Sequence, residues 1–258
     1  IIQGDYGPIA IRNATLTPWD GEANLLNVPP KGFTPLFNGE ELTNWKVNPK
    51  VEEMWSIEDG VLKSHGLLEE WGADLVTIDE YDDYELMVDF RFPAPSDSGI
   101  HFRNFVPALQ GAMGHAEQLN LRSSGGTGDL ESFHLVPEVM RLPNELHPKS
   151  TPFEPEIGTW HTVKLTVVGK SISTEMDGKV QVDHFEYPAG ILAVGPNEIR
   201  LQKHRFVEWR PGEKNPCPIE FRNIFIRKIG PEEAIKSQEL NVPPEGFTAL
   251  FNGEDLTG

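Results

Sequence analysis

Residues 84–92 read YELMVDFRF and residues 161–168 read HTVKLTVV. In both, apolar and polar side chains alternate, so each segment is an extended chain with one dry face and one wet face. Further runs rich in Val, Ile, Phe and Thr lie at Val61–Lys63, Asp74–Ile78, Gly99–Phe105, Glu117–Arg122, Ile172–Met176, Lys179–Asp183, Glu198–Gln202 and Ile219–Arg227. Turn residues separate them, at Glu58-Asp59-Gly60, Pro93–Asp97, Ser123–Gly128 and Asp177-Gly178. The last is a two-residue hairpin signal. Glu232–Glu239 is the one stretch with a helical reading. Many short strands, two of them long and amphipathic, predict an all-β sandwich of two antiparallel sheets.

The composition agrees. The chain has 258 residues with 38% hydrophobic and 24% charged, enough apolar material for a core. Its 24 glycines and 22 prolines suit a turn-rich β protein. A net charge of −18 repels phosphate backbones, so nucleic acid is not an expected partner. The single cysteine, Cys217, excludes an intrachain disulfide and any multi-cysteine metal site. No apolar run reaches the length of about 18 residues that spans a bilayer. The opening Ile1-Ile2-Gln3 reads as a strand rather than a leader, so no signal peptide is expected in this stretch.

Two internal echoes organise the chain. Residues 26–44 (LNVPPKGFTPLFNGEELTN) and 240–258 (LNVPPEGFTALFNGEDLTG) differ only at 31, 35, 41 and 44, giving 15 identities in 19. Residues 7–17 (GPIAIRNATLT) repeat the pattern of 217–227 (CPIEFRNIFIR) more weakly. The expected organisation is a tandem array. Residues 1–19 are the closing strands of one repeat, 20–25 a linker, 26–229 a complete sandwich, 230–239 a second linker, and 240–258 the opening of a further repeat.

The stronger catalytic motifs are missing. Gly125-Gly126-Thr127-Gly128 leads into Asp129 with no lysine to meet a phosphate, and neither a Gly-x-Ser-x-Gly elbow nor a His-Glu-x-x-His pair occurs. The eight histidines lack metal-ligand spacing. Polar density on the strands remains. A period of two puts Gly99, His101 and Arg103 on one face, Gln118, Asn120 and Arg122 on another, and Glu198, Arg200, Gln202 and His204 on a third. Amides and guanidinium groups read pairs of hydroxyls, and indoles stack on sugar rings, so the three faces fit a saccharide site. Taken singly, each also fits the solvated side of an antiparallel sheet.

Several ordered motifs carry a family resemblance. They are Gly-Phe-x-x-Leu-Phe-Asn-Gly-x-x-Leu at 32–42, Trp55 followed by Glu58–Leu62, Ser98–Arg103, Thr159-Trp160-His161, Leu201–His204 and Phe221–Ile224. In this order the chain resembles the 3-keto-disaccharide hydrolase domain family over roughly 32–229. The resemblance implies a concanavalin A-like jelly-roll sandwich, a secreted or periplasmic bacterial setting, carbohydrate as partner, and cleavage of glycosides oxidised at C3. It also implies His204 as base or acid, Arg103 as the clamp on an enolate or hydroxyl, and Gln202 as a sugar contact. His101 stands where the family usually has an aromatic residue. Near 118–120 the family carries Glu-x-Gln, whereas this chain has Gln118 and Asn120 with its acid displaced to Glu117.

The chemistry suits the residues available. A 3-keto group acidifies the C2 proton, so one base can expel the C1 substituent, and water then adds back. A neutral histidine serves as that base. The expected site is therefore His204 and Arg103 with Gln202, His101, Glu117, Gln118, Asn120 and Arg122, and Trp209 on an insertion (205–216) that would act as a lid or a contact to a neighbour. No particular cofactor is read from the residues; calcium or another divalent ion at the acidic stretch Asp79–Asp83 is an option, although such clusters are usually just solvated. Two other functions fit the same sequence: a non-catalytic carbohydrate-binding sandwich, and a structural module of a tandem-repeat extracellular protein whose terminal strands pair with neighbouring repeats or chains.

Overall fold

A computed structural model describes residues 26–104, 116–130, 153–187, 190 and 192–238. Residues 1–25 and 239–258, which hold the expected pieces of flanking repeats, lie outside the described residues.

The strands, in chain order, are β1 (Thr34–Pro35), β2 (Trp45–Lys46), β3 (Trp55–Glu58), β4 (Val61–Ser64), β5 (Leu75–Thr77), β6 (Tyr84–Arg91), β7 (Asp97–Asn104) and β8 (Ala116–Arg122). They continue with β9 (His161–Val168), β10 (Ser171–Met176), β11 (Lys179–Glu186), β12 (Arg200–Leu201), β13 (Val207–Arg210), β14 (Glu213–Asn215) and β15 (Glu220–Lys228). Two helices, α1 (Pro49–Met54) and α2 (Pro231–Gln238), complete the described elements.

The larger sheet runs β11-β10-β9-β6-β15-β4-β3, with β1 also paired to β15; the smaller runs β2-β5-β12-β7-β8. All the pairings are antiparallel. The expected two-sheet sandwich is therefore the fold. Alternation fixes which way each strand faces. In β6, Tyr84, Leu86, Val88 and Phe90 are buried while Glu85, Met87, Asp89 and Arg91 point outward. Across the core they meet the smaller sheet's inner side chains, among them Leu75, Ile100, Phe102, Leu119, Leu121 and Leu201, all fully buried. Interdigitation of two such faces is the main favourable contribution to folding.

The hairpin expected at Asp177-Gly178 joins β10 to β11, with Met176 paired to Lys179. Both turn residues have positive φ (49° and 72°), as a two-residue hairpin with the twist of its strands requires. The expected helix over 232–239 is α2. An unexpected helix, α1, is capped by Asn48, whose side chain accepts from the backbone N–H groups of Lys50 and Val51.

The first strand closes onto the last. Asn27 N–H donates to Asn223 Oδ1 (2.7 Å), and Asn223 N–H donates to Asn27 Oδ1 (2.8 Å). Asn223 has φ +49°, a left-handed conformation that asparagine tolerates, and β15 is bulged there. The insertion after His204 is the β13–β14 hairpin, which forms a small sheet of its own. Its neck is tied to the loop before β5: Phe206 N–H donates to Leu68 O (3.1 Å), and Lys214 pairs with Glu69 (2.8 Å).

Candidate functional site

The outer face of the smaller sheet is polar, and its register makes rows across the strands. In one row Lys46 stands against Val76, Val76 against Arg200, Arg200 against His101, and His101 against Gln118. The neighbouring row holds Gln202, whose N–H donates to Gly99 O (2.9 Å), then Gly99 paired with Asn120. Asp74, one residue before β5, extends this row on the far side: its Oδ1 accepts from Lys203 N–H (2.9 Å). Three of the side chains placed there by alternation are carboxamides, those of Gln118, Asn120 and Gln202.

Gly99 makes room for this cluster. A Cβ on it would stand 2.4 Å from Gln118 Nε2, so the amide of Gln118 lies across the space that a side chain would fill. Asn120 Nδ2 donates to Gly126 O (3.1 Å), while its Oδ1 is buried without a hydrogen-bond partner. Gln202 Oε1 is buried and unpartnered as well. A buried acceptor lacking a donor costs folding free energy, and a ligand hydroxyl would repay it.

Two titratable groups on this face have displaced equilibria. Burial pushes the Asp74 carboxyl up to about 6, against the opposing pull of the Lys203 N–H and the charge of Arg200. Burial pulls the His101 imidazole down to about 4, helped by the positive charges of Arg200 and His204. His101 is therefore neutral at pH 7, and Asp74 exchanges its proton within the physiological range. Lys203 points elsewhere. Its buried ammonium donates to Pro216 O and His204 O, bridging both ends of the hairpin insertion, and burial lowers its pKa to about 8.

His204 stands at the edge of the cluster, two residues beyond Gln202. Its Nδ1 lies 2.7 Å from Arg205 O. A carbonyl only accepts, so Nδ1 carries the hydrogen, and in the neutral ring the lone pair is on Nε2. The ring packs edge to face with Trp71, centroids 5.0 Å apart.

Arg103 is not beside His204. β7 bulges between Phe102 and Asn104, Arg103 takes φ +32°, and its side chain, 1% exposed, leaves the polar face. There Nε donates to Gly169 O (3.0 Å), Nη1 to Asp82 (3.0 Å) and to Gly195 O, and Nη2 to Asp83 (3.0 Å). Asp82 and Asp83, in the stretch considered for calcium, thus neutralise an internal arginine. Glu117 pairs with Phe102 across the strands and is fully buried, so alternation sends it to the opposite face from Gln118 and Asn120. Its Oε1 accepts from Gln118 N–H (3.0 Å). Arg122 sits at the rim, with Nε on Asp97 (3.0 Å). Trp209 belongs to β13, but its side chain lies outside the described residues.

Two residues of the face were not among the expected site residues. Arg200, which alternation groups with Gln202 and His204, supplies a cation on this face beside His101. Asp74 shares parity with Val76, but only the packing above it raises its pKa. Among the described residues, no group of three or more His, Cys, Asp or Glu side chains could hold a metal ion, and no helix is long and apolar enough to cross a membrane.

The antiparallel two-sheet sandwich agrees with the class that the family match defines: a carbohydrate-active protein of the glycosidase- and lyase-like kind. Within it, residues 32–227 match the 3-keto-alpha-glucoside-1,2-lyase-like domain, and the chain belongs to that family. The fold is also that of two solved proteins from Parabacteroides distasonis, each described as a candidate glycosyl hydrolase. One is 18% identical, covering 80% of this chain and all of its own, at a TM-score of 0.53. The other is 20% identical, covering 76% of this chain and 99% of its own, at a TM-score of 0.51. No curated protein matches the chain.

Proposed function

We propose that the protein cleaves 3-keto-glycosides by elimination followed by addition of water. The observation that carries this reading is His204, whose Nδ1 is committed to Arg205 O and whose Nε2 is left as a base at the edge of the carboxamide cluster. In the first step Nε2 takes the C2 proton and the electron pair moves onto the C3 oxygen as an enolate. Collapse of the enolate breaks the C1–O bond, the pair leaving on the departing oxygen, which takes a proton. Water then adds at C1 of the unsaturated ketone and a proton returns to C2, giving net hydrolysis.

Arg200 supplies the positive charge for the enolate, and Asp74 in its protonated form supplies the proton for the leaving oxygen. Gln118, Asn120 and Gln202 read sugar hydroxyls, the buried oxygens of the last two accepting from them, and neutral His101 adds one donor and one acceptor. A secreted or periplasmic location, where oxidised glycosides would be met, belongs to the same reading.

The test is release of the aglycone from a 3-keto-glucoside. Wild type should turn it over, and His204→Ala should lose about 100-fold or more, the usual worth of a positioned base. No turnover by wild type combined with glycan binding would transfer the site to a non-catalytic lectin-like role. Neither turnover nor binding would leave a structural module.

A further inference from the structure

In a chain of net charge −18, cations are scarce and most are spent. Every described arginine but one lies against a carboxylate, from Arg91 on Glu220 to Arg227 on Glu85 and Glu233. The exception is Arg205. It is exposed and follows His204 directly, and among the described residues no carboxylate meets it. Acids are not lacking nearby: Glu69 and Glu70, just before Trp71, pair instead with Lys214 (2.8 Å) and Lys50 (3.7 Å). Nor is the guanidinium unsupported. It stands 5.7 Å from the centroid of the Trp71 indole, which also packs against the His204 ring. The loop carrying Trp71 is tied down in turn, by Lys50 Nζ on Trp71 O (3.0 Å) and by Trp55 Nε1 on Ala73 O (2.7 Å). An arginine with its place set and its fork of donors unspent is ready for an anion.

The charge of the face agrees. Lys46 and Arg200, in one row, share a single carboxylate, that of Glu198. The other acid of the face, Asp74, titrates near 6. Lys46, Arg200 and Arg205 together therefore outnumber the acids whether or not Asp74 is ionised. Burial is the main reason that His101 titrates near 4, and the charges of Arg200 and His204 push it the same way, as a positive local field does. A protein that is acidic overall thus turns a locally positive face toward whatever its carboxamides bind. We infer that the sugar bound on this face is anionic, and that Arg205 recognises its charged group, a uronic-acid carboxylate or a sulfate ester. A guanidinium fits either oxyanion through two parallel N–H···O bonds. The inference rests on the carboxamide face as the sugar site, and it is independent of the elimination because it concerns binding alone. It narrows the ligand class from neutral glycosides to charged ones.

Calorimetry on the full chain tests this with three unoxidised probes: p-nitrophenyl glucoside, p-nitrophenyl glucuronide and the 6-sulfate of the glucoside. Wild type should bind at least one anionic probe about tenfold more tightly than the glucoside, the scale of one charge-assisted hydrogen bond. The tighter of the two names the anion. Arg205→Gln should bring that probe down to the affinity of the glucoside, and Arg205→Lys, with the charge but no fork, should keep part of the preference. Rising salt should shrink it, because an exposed guanidinium is screened. Equal binding of all three probes by wild type, no binding of any, or a preference that survives Arg205→Gln would overturn the inference. So would an equal loss on all three in Arg205→Gln, since Arg205 would then only brace Trp71 and His204. Turnover of a neutral 3-keto-glucoside beside any of these results leaves the elimination standing without it. A preference that Arg205→Gln abolishes, in a protein that turns over no 3-keto-glucoside, leaves the anionic site standing without the elimination.

Discussion

Asp74 and Arg103 show how one charged side chain serves the site and another the scaffold. Among the described residues no cation forms a salt bridge with Asp74, and burial outweighs the more distant charge of Arg200 to hold its carboxyl near 6, so it is protonated in the folded protein at pH values where an ordinary aspartate is not. As the proton donor to the leaving oxygen, it is competent below about pH 6 and incompetent above. The kcat/KM for a sugar leaving group should therefore decline as pH rises through about 6. Asp74→Asn should abolish that limb while sparing an aryl leaving group that departs unaided, which stopped-flow pH profiles on both substrates would check. Stability has the matching sign. A folded pKa raised above the unfolded one favours the fold fully below pH 4, an advantage lost as pH climbs through 6. Arg103 is the reverse case: its guanidinium is spent on two carboxylates and two carbonyls. Asp82 remains half-exposed and can rehydrate, so Arg103→Ala should cost about 3 kcal/mol, the low end for breaking a buried pair. Urea denaturation would measure it.

Between β7 and β8 the site depends on a missing side chain. Gly99 is in ordinary strand conformation, so alanine there strains no backbone, but its Cβ would meet the amide of Gln118. The flexible amide must move. Gly99→Ala should leave the unfolding free energy within about 1 kcal/mol of wild type, whereas affinity for a disaccharide by calorimetry should fall about tenfold, the cost of one displaced charge-neutral contact. Elements of this kind were largely legible in sequence, because alternation in β6, β8, β9 and β10 is a local property of eight or so residues. The two-residue strands β1 and β2 and the six-residue α1 are too short for a period to be visible; partners elsewhere in the chain define them, whereas β12 falls within the expected run Glu198–Gln202. The placement of Arg103 failed for a related reason. Parity holds only along an unbroken strand, and the bulge at Arg103 resets it. Asp74 was invisible because its altered acidity comes from what packs over it.

At the scale of the whole molecule, the echo between 26–44 and 240–258 can be set against what the first copy does. Asn27 locks to Asn223, Leu36 and Phe37 enter the core, and Gly39 approaches within 2.6 Å of the Asn27 amide when given a Cβ. All four recur in the second copy, as Asn241, Leu250, Phe251 and Gly253. The differences fall at exposed Lys31, Glu41 and Asn44 and at half-buried Pro35. Replacing these four by their counterparts (Lys31→Glu, Pro35→Ala, Glu41→Asp, Asn44→Gly) should therefore lower stability by no more than about 1–2 kcal/mol, mostly from Pro35 and Asn44. A larger loss in thermal unfolding would mean that the second copy is not built to fill the same position.

The contact between Asn27 and Asn223 spans 196 residues, and β15 lies in the middle of the larger sheet, between β6 and β4. During synthesis on the ribosome, β6 and β4 must therefore wait, with the edges that β15 will fill still open, until about 130 and 155 further residues, respectively, have emerged. Completion of the larger sheet thus has to await β15, and in that interval the two open edges are where pairing with a wrong neighbour would start.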